Sequence, residues 1–506
     1  MQSKIFKSYE KSIHFLNEAK ELKTQLKHMD AIIALNKSLC YSVSDSQLSM
    51  AFAERAKIFY DLKKYKECQE NLKWAKSHGN NNTELAHFET ACINQLKSLD
   101  INENDKPWNF FKLSPPLNKK LPFISDCLKL HESFKYGRYI KTNRPLHTGE
   151  VIAIEEPLFK MPNKDVRYKR CSNCLKSNQM NLLPCSQQKC VSTMYCSIEC
   201  MQLGWKRYHK YECSFLEESL ENNEYDLMIQ RIIFETLDMF DGNIEKLKTL
   251  LSETKDNQSI YDFDLSNKND IENKKLRLKS IYALKRGKCS EEDKAMADWF
   301  VESDSTLKHL CKTKAQQDFL KNFILRMMGI MDRNSYIFYS LASVFSEKDE
   351  EIGTGLFSFA SLLNHSCSPN LYRFFVDNKQ IYVVKKPIEA GQQLFVGYLS
   401  NFTLCEREKR QADLFQDFSF HCTCDACVQN FPLMKDLKRC DENFKEELPT
   451  LSRYSISDAK KIYEYNCKYI ETNINKFPFP CYEICFLMQS SFRLLHFIAN
   501  KPFLPE

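Results

Sequence analysis

Seven cysteines and one histidine fall between positions 171 and 213 of this 506-residue chain, spaced as Cys171-x2-Cys174, Cys185-x4-Cys190, Cys196-x3-Cys200 and His209-x3-Cys213. Eight soft or borderline ligands are the number that two tetrahedral zinc sites need. The stretch around them is polar and offers few other residues able to build a core, so bound metal is what is expected to hold it folded. A second run, Cys422-x-Cys424-x2-Cys427, supplies three thiolates and lacks a fourth. The chain has 22 cysteines in all, and the opening residues MQSKIFKSYEKSIHF do not read as a secretory signal. A reducing compartment, cytoplasm or nucleus, is therefore expected, with metal binding rather than disulfides. Cys40, Cys68, Cys92, Cys311 and Cys467 lie in helical or apolar stretches and read as small buried hydrophobes.

Hydrophobic residues at 43% and charged residues at 27% are those of a soluble globular protein. No segment approaches the roughly 18 consecutive apolar residues of a membrane helix, so no membrane role is expected. A formal charge of +6 is mild at this length and argues against a dedicated nucleic-acid binder. Lys169, Arg170, Lys206 and Arg207 beside the cysteine cluster read as a solvated face. The basic runs at 167–170 and 274–279 read as exposed surface, with nuclear signals as the alternative.

Residues 1–100 are helical in pattern, with apolar residues at i, i+3, i+4 spacing over 13–40 and 50–75. Small residues at close-approach positions, aromatics at the wedge and a turn at 61–64 fit tetratricopeptide-like helical repeats. Ala19 and Ala34 precede Ala53 and Cys68 by the same 34 residues; the alternative is a generic helical hairpin. A polar segment broken by Pro107, Pro115 and Pro116 reads as a linker at 101–120. Strand-like patterning begins near Tyr136, with a turn at 147–150 and an apolar run at 151–154, and returns at 381–384 and 394–398. The expected class is α+β: a split β domain interrupted by the cysteine cluster and by a helical insertion, flanked by N-terminal helices and by C-terminal helices at 456–470 and 482–498.

The string SLLNHSCSPN at 361–370, followed by LFVGYL ending near Tyr398 and FSFHCTCDAC at 418–427, resembles the heart of a SET domain. With YCSIECMQLGWKRYHKYEC closing the cysteine cluster, the chain resembles the protein-lysine methyltransferases that combine a SET domain with a MYND zinc finger, in the branch with N-terminal tetratricopeptide repeats. The resemblance implies a first part of the SET domain at 121–170, a MYND finger at 171–213 and a helical insertion at 214–335. It further implies the core SET at 336–410, a post-SET zinc segment at 411–430 and a C-terminal helical region at 431–506.

Three structural zinc ions are implied: Cys171, Cys174, Cys196 and Cys200 on one, Cys185, Cys190, His209 and Cys213 on a second, and Cys367 with Cys422, Cys424 and Cys427 on a third. The gap between Cys185 and Cys190 is longer than the family's usual two residues. The implied activity is transfer of a methyl group from S-adenosyl-L-methionine to a lysine of a histone or non-histone protein. Gly137, Arg138, Asn364, His365, Tyr398 and Phe420 would hold the donor, Tyr398 would be the catalytic phenol, and Tyr398 and Phe418 would wall the lysine channel. Two positions depart from the family. Tyr139 stands where a Gly-x-Gly turn usually has its second glycine, which would otherwise let the backbone approach the donor. Phe418 stands where tyrosine is frequent. Tyr139 favours an alternative, a weakly active or inactive SET scaffold whose finger and repeats recruit transcriptional regulators; intact Asn364, His365 and Tyr398 favour the enzyme. Protein partners are expected under both readings, with direct DNA binding the weakest.

Overall fold

The computed structural model describes residues 6–79, 83–98, 107–213, 224–266, 269–341, 349–446 and 455–500. Helices Tyr9–Thr24, His28–Tyr41, Asp45–Asp61, Tyr65–Ser77 and Thr83–Ser98 open the chain. Ser8 and Ser44 start the first and third by accepting the N–H groups of Lys11 and Gln47, which satisfies donors that a helix start leaves free. Each of the first two hairpins closes on the same left-handed turn, with Leu26 and Lys63 at φ 59° and 58°. The following N–H groups of Lys27 and Lys64 return to the carbonyls of Leu22 and Phe59 at 3.0 and 2.8 Å. From Leu26 to Lys63 is 37 positions, so the structural repeat pairs Ala19 with Ala56 and Ala31 with Cys68, not Ala19 with Ala53 and Ala34 with Cys68. The turns set this register, and the run of small residues on either side is too uniform to reveal it. Ala19, Ala31, Ala56 and Cys68 are all buried where the helices meet.

These helices share a core with the cysteine-rich segment, in which Leu182, Met194 and Tyr195 pack beside the cysteines. A buried polar network fastens the two. Arg55, fully buried, donates to Asn71 at 2.8 Å, to Asn36 and to the Leu182 carbonyl at 2.9 Å. Asn36 donates to the carbonyls of Tyr168 and Met180 at 2.8 and 2.9 Å, and Asn71 to Asn181 at 2.7 Å. Burial holds the Arg55 guanidinium down at about 9.

The stretch expected to be a linker is instead built into the fold from residue 107 onward; residues 101–106 lie outside the described residues. Pro107–Phe110 forms one helical turn, Trp108 donates to Asp377 at 2.9 Å, and the Ser114 N–H donates to the Val151 carbonyl at 2.8 Å. The Phe110 and Phe111 rings lie 5.8 and 5.2 Å from those of Tyr463 and Phe374. Proline stops a long helix here, but Phe111 is buried and Trp108 and Phe110 pack partly buried beside it.

The β domain joins distant segments. Val151–Glu155 pairs with Lys379–Val384, which pairs with Leu371–Val376, all antiparallel. A second sheet sets Asp349–Leu356 between Phe159–Pro162 and Tyr336–Leu341. The strand expected at 394–398 is only Phe395–Val396, and it runs parallel to Asn364–His365. Between the two halves the chain loops out into the cysteine-rich segment and a helical insertion, including Glu224–Asp238 and Lys314–Asn334, with its own core. The C-terminal helices Ile456–Asn473 and Tyr482–Asn500 cover the first sheet, where Tyr372 donates to the Met488 carbonyl at 2.8 Å. Among the described residues no helix is long and apolar enough to cross a membrane.

The basic residues around the cysteine cluster are not a solvated face throughout. Arg167 and Arg170 are each 7% exposed, Arg170 donates to the Leu175 carbonyl at 3.2 Å, and Arg207 pairs with Glu235 at 2.5 Å. Arg207 is taken up by a carboxylate from the helical insertion, which a local run of charge does not disclose.

Candidate active site and metal centres

In the cysteine-rich segment the antiparallel pair Leu183–Pro184 and Met194–Tyr195 sets Cys185 and Cys196 at its opposite ends, one for each quartet. Ser197 caps helix Ile198–Gly204 through the Cys200 N–H, and so fixes Cys200 in its first turn. The ligand atoms of Cys171, Cys174, Cys196 and Cys200 lie within 4.8 Å of one another, and so do those of Cys185, Cys190, His209 and Cys213. The longer gap from Cys185 to Cys190 does not keep them apart: His209 Nε2 is 3.3 Å from Cys185 Sγ and 3.5 Å from Cys190 Sγ. The 3.5 Å approaches of Cys196 Sγ to Cys174 and Cys200 are close to the roughly 3.8 Å sulfur separation that a tetrahedral zinc with 2.3 Å bonds imposes.

His209 presents its other nitrogen, Nδ1, to Glu212 at 4.0 Å. Glu212 is buried and is gripped by Arg231 at 2.8 and 2.9 Å. Arg231 comes from the helical insertion and also donates to the Ser172 carbonyl, inside the Cys171–Cys174 turn, at 3.1 Å. At that distance Nδ1 makes no hydrogen bond, and the carboxylate acts on the imidazole through its charge.

A third quartet, Cys367, Cys422, Cys424 and Cys427, also gathers within 4.8 Å. The Cys367 N–H donates to Cys424 Sγ at 3.4 Å, and Cys367 Sγ is 3.5 Å from Cys427 Sγ. In every quartet at least one thiol is driven down by its neighbours: Cys200 first by Cys171, Cys190 first by Cys185, Cys424 first by Cys367. Arg410, buried beside this third group, lies 3.9 Å from Cys427 Sγ and adds positive charge next to the thiolates.

The third quartet adjoins the expected catalytic residues. His365 Nε2 is 3.3 Å from Cys367 Sγ, and His365 Nδ1 accepts the Tyr398 backbone N–H at 2.9 Å. That network assigns the imidazole proton to Nε2. Burial lowers the His365 pKa to about 4, so the ring is neutral at ordinary pH. Helix Arg407–Phe418 ends on Ser419 in the left-handed conformation, φ 58°, which turns the chain and leaves the Phe418 and Phe420 ring centres 6.5 Å apart. The Tyr398 ring centre lies 5.0 Å from Phe418 and 5.3 Å from His365, and Phe420 lies 6.1 Å from His365. The Tyr398 hydroxyl donates to the Leu363 carbonyl at 2.9 Å, and burial pushes its pKa up to about 12.

The expected donor-binding strand, Gly137–Thr142, lies alongside: the Leu394 N–H donates to the Ile140 carbonyl at 2.9 Å. Gly137 turns the hairpin at φ 59°, with nothing within 4 Å of where a Cβ would stand. The Asn364 amide donates to the Tyr136 carbonyl at 3.1 Å. Tyr139 sits between the rings of His131 and Tyr136, each 5.9 Å away. The Arg138 side chain is committed elsewhere, to the carbonyls of Gln258 and Ala283 at 2.6 and 3.1 Å in the helical insertion. Only its backbone is left to serve a ligand.

Three positioning residues were not visible in the sequence. Glu155, 2% exposed, accepts the N–H groups of Ser358, Phe359 and Ala360 at 3.0, 3.0 and 2.9 Å and the Ser358 hydroxyl at 2.6 Å. It thereby holds the turn that leads into Asn364. Glu212, paired with Arg231, stands behind His209 at 4.0 Å; the one available signal was Glu212 standing three positions after His209.

The SET domain profile matches residues 137–399. Over 322 residues the chain is 27% identical to histone-lysine N-methyltransferase ASHR1 of Arabidopsis thaliana, covering 62% of this chain and 58% of that protein. It is 25% identical to histone-lysine N-methyltransferase SMYD3 of Homo sapiens, covering 58% and 59% respectively. It is 22% identical to protein-lysine N-methyltransferase SMYD4 of Danio rerio, covering 82% and 64%. The chain spans about three fifths of the length of the curated relatives it matches. With over half of its residues inside that profile, the chain belongs to the SET domain family.

Proposed function

We propose that this chain is a protein-lysine N-methyltransferase that takes its methyl group from S-adenosyl-L-methionine. The observation that carries the reading is the convergence of Asn364, His365, Tyr398, Phe418 and Phe420, from three separated segments, beside the Gly137–Thr142 hairpin. The relatives named as lysine methyltransferases support it and do not favour an inactive scaffold.

The residues present fit the donor: open space over Gly137, a half-buried Asn364 amide and the ring of Phe420 suit an adenosine. When bound, the donor supplies an electrophilic sulfonium methyl. Tyr398 gives its own proton to Leu363, so its oxygen is free to accept an N–H of the incoming amine and to aim the nitrogen lone pair. Tyr398 with Phe418 forms an aromatic wall that disfavours an ammonium by desolvation, and the Arg373 guanidinium, 3.5 Å from the Tyr398 carbonyl, does so by charge. His365 is no base for this step, since its Nδ1 is occupied by the Tyr398 N–H; the lysine proton leaves to water before transfer.

Zinc suits the three quartets, four thiolates in two of them and three thiolates with an imidazole in the other, and fills each with protein ligands, so its role is structural. In this reading 171–213 is a MYND finger and the N-terminal helices are tetratricopeptide-like repeats. Together they choose the protein substrate and bind transcriptional co-regulators, and the chain works in both nucleus and cytoplasm. The buried Arg170 and paired Arg207 speak against direct DNA binding by the finger.

The test is calorimetric titration with S-adenosyl-L-methionine and transfer of labelled methyl to a protein mixture including histones. Binding that is lost in Asn364→Ala, and transfer lost in Tyr398→Phe with binding retained, is the expected result. Absence of donor binding both in the parent and in Tyr139→Gly would overturn the proposal.

A further inference from the structure

Outside the three quartets, one more group of ligand atoms converges among the described residues. Cys440, Cys481 and Glu483 bring two sulfurs and a carboxylate oxygen within 4.8 Å of one another. Cys481 and Glu483 are fully buried, and Cys440 is partly exposed. Glu483 Oε1 accepts the N–H groups of Cys440 and Asp441 at 2.8 and 3.1 Å. Its other oxygen, Oε2, is buried and has no hydrogen-bond partner.

An ionised carboxylate in such a place needs a cation. The adjacent Arg439 does not serve: its guanidinium pairs with Glu446 and stands 4.3 Å over the Tyr482 ring. A thiol proton from Cys481 is at best a weak donor to that oxygen. Two thiolates with one carboxylate are instead a donor set that zinc accepts.

We propose that Cys440, Cys481 and Glu483 form a fourth zinc site. Its three protein ligands leave one position to solvent on the side of Cys440, and metal entry displaces the two thiol protons into water. The site clasps the segment after the third quartet onto the start of helix Tyr482–Asn500, where the Tyr482 N–H already donates to the Lys438 carbonyl at 2.9 Å. Nothing in it depends on methyl transfer.

Zinc content of the 506-residue protein, purified under reducing conditions, is compared with Cys440→Ser and Glu483→Gln variants. The parent is expected to carry one equivalent more than each variant, four against three. A chelator should remove that equivalent first and expose two newly reactive thiols while helical circular dichroism stays unchanged. If Cys440→Ser fails to fold, Glu483→Gln carries the comparison, because it keeps the side-chain shape. Equal zinc content in the parent and a folded variant would overturn the proposal, whether Cys440 and Cys481 are then recovered as free thiols or as a disulfide.

Discussion

Glu155 shows how much a single side chain can carry. Its two oxygens take three backbone N–H groups and a hydroxyl, and one of them lies 3.4 Å from the Arg277 guanidinium. Glu155→Gln would turn an NH2 group toward donors and remove the charge that Arg277 faces. The expected cost is about 2–4 kcal/mol by denaturant titration, with weaker donor binding by calorimetry, because the turn into Asn364 loosens. Nothing in the sequence marks this residue, which sits at the end of an apolar strand run. Asn364, His365 and Tyr398 were legible because they stand in a dense, ordered string. Two quartets were legible through their spacing and the third only once the family resemblance supplied Cys367, whereas Cys440 and Cys481 are brought together only by the fold.

His496 carries a pH dependence at the same scale. It is 2% exposed, with Phe374 and Phe492 rings 5.6 and 4.4 Å away, and neither ring nitrogen has a hydrogen-bond partner. Burial lowers its pKa to about 4, from 6.5 in an open chain. Between those values the unfolded chain binds a proton that the folded chain does not, so stability rises with pH. The contribution is present above about pH 6.5 and is lost as pH falls toward 4. His496→Leu should lessen the stability lost between pH 7 and pH 5 by about 2 kcal/mol, read as the difference between parent and variant denaturation curves.

At the scale of elements, the cysteine-rich segment is held from two sides. Helix Glu224–Asp238 reaches it through Arg231, and the N-terminal hairpins reach it through Arg55, Asn36 and Asn71. Arg231→Ala leaves Glu212 buried without its cation. A loss of about 3–5 kcal/mol is expected, together with faster zinc release to a chelator from the centre that contains His209. Removing zinc from the cysteine-rich segment should also raise amide exchange in helices His28–Tyr41 and Asp45–Asp61, because they share a core with its cysteines. Unchanged exchange there would show that the hairpins stand alone. Element type was readable from periodicity in these helices, but their true repeat of 37 positions was not, since the turns that set it at Leu26 and Lys63 carry no glycine or asparagine. The linker expectation failed for a related reason: prolines marked where a helix stops, while the docking of Trp108, Phe110 and Phe111 depended on surfaces far along the chain.

For the whole molecule, the pairing of Val151–Glu155 with Lys379–Val384 has a consequence for the birth of the protein. A ribosome adding roughly 5–20 residues per second needs roughly ten to forty seconds after making the first strand before its partner emerges. During that interval the helical insertion, whose core is drawn from residues between the two strands, and the cysteine-rich segment, whose core is shared with helices made earlier, have time to form around an unfinished sheet. The first strand meanwhile waits with an apolar, unpaired edge, a template for the wrong neighbour. Nascent chains stalled before residue 379 should be cut by protease near residue 151, and chains released after the C-terminal helices should resist. Slow translation would then lengthen the exposure of that edge, making the fold sensitive to the tempo at which it is read out.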